Sequence, residues 1–515
     1  MNTETQPIGI ETAVFSEIDK IFAVAMLICG FLYWNLIQVA SLGMGVSIFA
    51  LIVCTVIGIY LKKSGMHQTK ESMICLGIIA LASANFALFD NTITKNFNFI
   101  FLSVLVIYWI CLSTGRRLDT NLSVYIIGDL INQSLIIPFS NMSCLFGALK
   151  LGISKNKHGK SFLNALIGIL IFIPVMALVV SLLIDADAAF ESLVANMNFS
   201  FSSNMMEYLL QIILSIPVAA YLYGLVYGDR YARHTHHITL ESARKNASAM
   251  QFVPRITVYS GLTGLNAIYA VFFLAQTSYL FSAFVRHIPE AMTYAEYARR
   301  GFFELCAIAG INLFVILAAY VITNRKTENN GDAPKILRIE TTVLCLFTLM
   351  LITTALSKMV MYINHYGLTQ LRLYTTWFMI LIFVIFIIVA VRQFRRFNSA
   401  KAIALSLIIG FVILSYANID GLIAKYNIDR YRQGTLQSVD VQALAQLSDA
   451  AIPYLYELYG ETKDEALKSQ LKEAITGVYS WGVVALPYEP TFRDSNLQRY
   501  KADQIRAIFS SKVQI

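Results

Sequence analysis

The sequence predicts an all-α fold: a polytopic bundle of about eleven transmembrane helices, followed by a small and mainly helical C-terminal tail. The first observation is composition, because 57% of the 515 residues are hydrophobic and only 14% are charged. Soluble globular proteins carry about 25% charged residues. The second observation is that long apolar runs recur along the chain, and the third is that lysine and arginine collect in every second loop between them. These patterns are typical of a multi-pass membrane protein.

The apolar runs predict the spans in order. A helix needs roughly 17–25 mostly apolar residues to cross the hydrocarbon core. The first run is retained as a span because the residues before it are acidic and lack a small-residue cleavage site, unlike a signal peptide. On this basis the predicted spans cover about 19–38, 44–61, 73–90, 97–114, 162–184, 207–227, 256–280, 302–323, 337–363, 371–391 and 400–417.

The basic loops predict the orientation of the chain. The loop after the second span carries Lys62 and Lys63, and the loop after the tenth carries Arg392, Arg395 and Arg396, whereas loops after odd-numbered spans are poor in such residues. Lysine and arginine are retained on the cytoplasmic side of membrane helices. We therefore predict a cytoplasmic N-terminus (1–18), a membrane bundle (19–417) and an extracytoplasmic C-terminal region (418–515).

One apolar segment is predicted not to span the membrane. Residues 121–140 are apolar but are interrupted by Asp129, Asn132 and Gln133. Uncompensated polar side chains are costly in the hydrocarbon core, so an interfacial or re-entrant helix on the cytoplasmic side fits this segment better than a crossing.

The C-terminal tail has mixed charge and helical periodicity. In LSDAAIPYLYELYG a helix is predicted to begin at Ser448 or Asp449, with Pro453 early in it and a stop at Gly460. A final amphipathic helix is predicted in LQRYKADQIRAIF.

Several kinds of chemistry lack support in the sequence. The seven cysteines occur mostly singly in apolar runs without a C-x-x-C pair, which argues against disulfide, zinc and iron–sulfur frameworks. The stretch HTHH at 234–237 with Glu241 matches no zinc signature, and no P-loop, G-x-S-x-G or dinucleotide-binding glycine pattern occurs. We predict no metal, no cofactor and no nucleic-acid partner.

The first candidate site lies in MTYAEYARRGFFEL, at 292–305. On a helix, Glu296 meets Arg300 and Arg300 meets Glu304, each four residues apart, at the predicted outer end of the eighth span. This pattern fits an interfacial anchor whose charges satisfy one another, or an anion-binding rim with an arginine left to hold a phosphate or carboxylate. The candidate residues are Tyr294, Glu296, Tyr297, Arg299, Arg300 and Glu304.

The second candidate site lies in SKMVMYINHYGLTQLRLY, at 357–374, which joins the ninth and tenth spans on the same predicted outer face. Lys358 lies inside an apolar run, where it either extends toward the interface or pairs with an acid such as Glu304. The candidate ligand-binding residues here are Lys358, His365, Tyr366, Arg372 and Tyr374.

Three phrases carry a resemblance to a known family: TYAEYARRGFFEL at 293–305, YGLTQLRLY at 366–374 and NIDGLIAKYNIDRY at 418–431. From about residue 75 onward the chain resembles a bacterial family of multi-pass membrane proteins of unknown function. The resemblance implies a bacterial cytoplasmic (inner) membrane protein, with a tail that belongs to the membrane part, and it implies no activity or cofactor.

Three function classes remain open. A transporter or flippase for an anionic or amphiphilic substrate is favoured by the many spans, two proline-bearing helices and the outer basic residues. An envelope sensing or assembly component would use the tail and the outer cluster and needs no catalytic residues. A membrane enzyme acting on a lipid-linked phosphate or sugar would use Glu296, Glu304 or His365 as acid or base. The expected partners are the lipid bilayer and an anionic lipid or other small anion.

Overall fold

The computed structural model describes residues 13–119, 122–153, 203–235, 239–275, 302–324, 333–477 and 491–511, together with a few single positions between 172 and 186. These residues form helices and connecting turns, without a β-strand among them. Nine of the described helices are long and apolar enough to cross a membrane, which supports a multi-pass membrane protein. The predicted span at 162–184 lies outside the described residues.

The N-terminal half of the bundle is built on five long helices. The first of them, α1, has three charged residues in its first turn. It is not among the nine helices that are both long and apolar enough to cross a membrane. Their apolar side chains form one shared core. The helices are α1 (Glu17–Leu36), α2 (Met44–Lys63), α3 (Lys70–Leu88), α4 (Thr92–Thr114) and, after the short helices described next, α8 (Ser203–Arg230).

The segment predicted to be interfacial or re-entrant is a broken helix. A bend of 45° separates residues Ile126–Asn141 from Ser143–Leu151, a geometry that belongs either to a broken span or to a re-entrant loop. A π-helix (Asn132–Ile136) interrupts the first part, so the backbone is locally wider there. The α-helical pieces are α5 (Ile126–Ile131), α6 (Ile137–Asn141) and α7 (Ser143–Ile153).

The second half of the bundle has its own core, formed by α10 to α13. The helix bounds agree with the predicted spans to within a few residues. After the short polar helix α9 (Leu240–Ala249), the helices are α10 (Arg255–Ala275), α11 (Phe302–Ile322), α12 (Lys335–Tyr366), α13 (Gln370–Phe394) and α14 (Ser399–Tyr416).

The described part of the tail consists of helices joined by turns and short loops, and it has a third hydrophobic core. The predicted helix start at Ser448 or Asp449 is a 3-10 turn (Asp449–Ala451) that leads into α17, and that helix ends at Glu461, one residue beyond the predicted stop. The tail helices are α15 (Ile419–Arg432), α16 (Val441–Ala445), α17 (Ile452–Glu461), α18 (Glu465–Thr476) and α19 (Leu497–Ser511).

Helix α8 approaches its neighbours closely at two glycines one turn apart. A Cβ atom at Gly224 would lie 2.6 Å from the carbonyl oxygen of Pro138, and one at Gly228 would lie 2.6 Å from Cγ2 of Ile137. The spacing is G-x-x-x-G, which lets helix backbones pack together in membranes where lipid gives little hydrophobic drive for association. Helix α8 is therefore fixed against α6.

Candidate functional site

The first predicted cluster lies almost wholly outside the described residues. This applies to Tyr294, Glu296, Tyr297, Arg299 and Arg300, whereas Glu304 is exposed in the first turn of α11.

The second predicted cluster is described and divides into separate environments. Lys358 is only 6% exposed within α12, and its pairing with Glu304 stays a prediction. His365 and Tyr366 are exposed at the end of α12, and their rings meet edge to face at 4.6 Å. Lys358 therefore lies in a buried environment, and His365 and Tyr366 lie in an exposed one.

Arg372 is engaged by the turn between α12 and α13. Its Nη1 donates to the carbonyl oxygens of Gly367 at 2.6 Å and Tyr366 at 3.1 Å. Its guanidinium carbon lies 4.1 Å from the ring centroid of Tyr362. Arg372 therefore holds the turn in shape, which is a structural role for a residue predicted to bind a ligand.

The same turn docks the tail. The Asn427 side chain pairs with the backbone of Leu368, accepting from its N–H at 2.7 Å and donating to its carbonyl at 2.8 Å. At Gly367, where φ is +77°, a Cβ would lie 2.6 Å from Oδ1 of Asn427. Two of the phrases that carry the family resemblance, 366–374 and 418–431, thus contact each other directly.

A buried carboxylate extends this junction. Asp420 is 1% exposed, and its Oδ1 accepts from Nε2 of Gln370 at 2.7 Å. Its Oδ2 accepts from Nδ2 of Asn91 at 2.8 Å and from the backbone N–H of Ser448 at 3.1 Å. The hydroxyl of Tyr374, another predicted site residue, donates to Oδ1 of Asn91 at 3.0 Å. Asp420 therefore ties the α3–α4 loop, the start of α13 and the tail together.

An apolar cavity of about 430 Å³, partly open to the surroundings, lies among the helices of the N-terminal half of the bundle. Two of its few polar groups are already used, since the hydroxyl of Tyr221 donates to the carbonyl of Ser134 at 2.9 Å and that of Ser103 to the carbonyl of Phe99 at 2.8 Å. One wall includes Pro217, which lies within the sixth predicted span. Representative lining residues are Tyr33, Ala50, Val106, Phe139 and Val218, from α1, α2, α4, α6 and α8.

A second buried carboxylate, Asp229, lies one helical turn beyond the cavity-lining Leu225 on α8. Asp229 is 0% exposed and contacts side chains of α4 and the π-helix. We did not single it out in the sequence. The available signals were an acid closing an apolar run, in YGDRYAR, and the G-x-x-x-G spacing just before it.

The model of the family described as domain of unknown function DUF4153 matches residues 76–458. The chain belongs to this family. No curated protein and no solved structure matches the chain. The matched residues of this DUF4153 protein contain Asp229 and Asp420, whereas α1 and α2, which form two walls of the cavity, precede them.

No metal site is assembled by the residues that the structure describes, since they contain no group of three His, Cys, Asp or Glu side chains placed to hold an ion. His236 and His237 lie outside these residues.

Proposed function

We propose that this DUF4153 protein is a multi-pass protein of the bacterial cytoplasmic membrane that moves an amphiphilic substrate between the two leaflets. The apolar cavity among α1, α2, α4, α6 and α8 is the observation that supports this proposal. In the proposed orientation the N-terminus is cytoplasmic and the tail is extracytoplasmic, as the distribution of basic loops favours.

The apolar lining of the cavity favours the passage of an acyl chain over tight binding of a ligand. An apolar lining offers a polar solute no hydrogen bonds, and burying polar groups without partners is costly. An acyl chain, by contrast, fits such a lining. Because lipid tails are as apolar as the cavity wall, an acyl chain gains little hydrophobic free energy when it moves from the bilayer into the cavity. A site of this kind suits a substrate that enters and leaves.

The preference for an anionic head group rests on the sequence. Arg299 and Arg300 are proposed to contact the head group at the outer face. Arg372, an arginine of the second candidate site, already donates hydrogen bonds to backbone carbonyls of its own turn. We therefore propose that it supports the fold of the outer face and does not bind the substrate.

A cavity-filling substitution tests the proposal. Liposomes containing the purified protein and NBD-labelled phosphatidylglycerol are treated with dithionite, which quenches label in the outer leaflet only. We expect Val218→Phe, on the cavity wall, to slow label movement about tenfold, equivalent to a barrier raised by about 1.4 kcal/mol. The matched control is Val271→Phe on α10, where the side chain is 66% exposed and lies away from the cavity.

Two outcomes would contradict this prediction. Label movement in wild-type liposomes no faster than in protein-free liposomes would rule out flipping of this lipid. Equal slowing by Val218→Phe and Val271→Phe would show that the cavity is not the path.

A further inference from the structure

Two buried carboxylates near the end of α8, those of Asp19 and Asp229, have very different hydrogen-bond partners. Asp19 on α1 is 0% exposed and is neutralised by Arg230, with further hydrogen bonds from the hydroxyls of Tyr60 at 2.6 Å and Tyr231 at 2.7 Å. Asp229, the neighbour of Arg230, is equally buried. Its carboxylate receives hydrogen bonds from Nε2 of Gln133 at 2.9 Å and from Oγ1 of Thr114 at 3.1 Å. Both of these donors are neutral.

Arg116 is a cation close to Asp229, and it contacts the backbone of that residue. Its Nε donates to the Asp229 carbonyl oxygen at 2.9 Å. Among the described residues no cation donates a hydrogen bond to the Asp229 carboxylate. A carboxylate buried in this way is costly unless it gains a proton or a paired cation.

The hydrogen bonds around Asp229 accommodate a proton without rearrangement of the backbone. The hydroxyl of Thr114 also lies 2.9 Å from the carbonyl oxygen of Ile110. A hydroxyl is both donor and acceptor. When the carboxylate is charged, Thr114 donates to Oδ2 of Asp229. When Oδ2 carries a proton, that O–H donates to Thr114, and the Thr114 hydroxyl turns to the Ile110 carbonyl.

The surroundings of Asp229 connect it to the cavity. Gln133 belongs to the π-helix, a distortion that is frequent at functional sites. The carbonyl of Ser134, the next residue, accepts the hydrogen bond from Tyr221, which lines the cavity. Ile110, whose carbonyl is the alternative partner of Thr114, lines the cavity as well.

We propose that Asp229 is a proton-binding site, reached from the predicted cytoplasmic side, whose occupancy is linked through Thr114 and the π-helix to the shape of the cavity. The carboxylate takes up one proton from water and releases it to water, and no other bond forms or breaks. The other charged and titratable groups around it are Cys111 from α4, Arg116 and Arg117 from the segment after α4, Asp129 from α5, and Arg230, Tyr231 and Arg233 from the end of α8 and the turn after it.

Infrared difference spectroscopy of the purified full-length protein tests this directly, without a substrate. A buried protonated carboxyl group has a carbonyl band that is distinct from the carboxylate bands. As the pH is lowered we expect the wild type to show a buried-carboxyl band that Asp229→Asn lacks, while the bands of the other acids remain, and we expect this band to persist in Asp129→Asn. The control residue, Asp129, is a buried acid whose Oδ1 accepts from the backbone N–H of Leu118 at 2.8 Å.

A second variant keeps the proposal testable if Asp229→Asn fails to fold. Thr114→Val removes a donor that stabilises the charged carboxylate. The band should therefore persist to a pH about one unit higher than in the wild type.

Three results would overturn the proposal. The first is a spectrum with no titrating buried-carboxyl band, and the second is persistence of the wild-type buried-carboxyl band in Asp229→Asn. The third is loss of the band when sodium replaces choline at constant pH, because the site would then hold a metal ion. Since the readout is the carboxyl group itself, failure of amphiphile transport would leave this result unaffected.

Discussion

Replacing Gly224 by alanine should destabilise the membrane bundle by about 2–3 kcal/mol or prevent its assembly. The added Cβ would lie 2.6 Å from the Pro138 carbonyl oxygen and 3.1 Å from backbone atoms of Asn141 and Met142. Backbone atoms of a packed helix cannot move aside as the end of a flexible side chain can. Helix α8 would have to separate from α6, which would also disturb the π-helix and the Asp229 contacts.

Thermal unfolding of the purified protein in detergent measures this effect. The control is Gly77→Ala on α3, where no described atom lies within 4 Å of the position of a new Cβ. There alanine should be neutral or stabilising by up to about 1 kcal/mol, because glycine is the poorer helix former. Similar melting temperatures for the two variants would mean that α8 and α6 do not pack as closely as described.

Replacing Asp420 by alanine should release the tail from the bundle. Three donors on different segments, Gln370, Asn91 and the backbone of Ser448, would lose their shared acceptor in a buried site. Each unsatisfied buried donor costs about 1–3 kcal/mol, so the total loss should exceed about 3 kcal/mol. Limited proteolysis should then cleave the tail well before the spans.

Two further variants separate this effect from loss of an ordinary cap. Asp464→Ala removes an exposed helix cap from α18 and should cost only about 1 kcal/mol. Asp420→Asn keeps one acceptor oxygen and should fall between the two alanine variants. If Asp420→Ala resisted protease as well as Asp464→Ala does, the junction would depend on the apolar contacts of the tail instead.

The bounds of the nine long apolar helices among the described residues were predictable, because the bilayer sets the length of the apolar runs and charged residues mark their ends. Helix α2, for example, ends at Lys63, within the lysine pair that marked the end of the second predicted span. The interfacial or re-entrant placement of 121–140, made because Asp129, Asn132 and Gln133 interrupt an apolar run, stays a prediction, and the bend of the helix lies just beyond that segment, between Asn141 and Ser143. Both predictions rest on local signals in the sequence.

The surroundings of the polar side chains were not predictable in the same way. The two donors to Asp229 are separated from it by 96 and 115 residues in the sequence, and only the packing of α8 against α4 and the π-helix brings them together. The hydrogen bonds from Arg372 to the carbonyls of its own turn were not foreseen, because the sequence does not show which way the carbonyls of a turn point.

The family match ends at residue 458, in the middle of α17 (Ile452–Glu461). Beyond it, the N–H groups of Met44 and Gly45 at the start of α2 donate to the carbonyl oxygens of Ser495 at 3.0 Å and Arg493 at 2.9 Å. A relative that stopped at the matched boundary would leave two amides of its second helix without these acceptors at the membrane surface, and it would need a different cap. In this protein the segment that the family model matches therefore ends before the segment that must be synthesised to cap α2, so the start of α2 reaches its final form only after residues 493–495, just before α19, have been made.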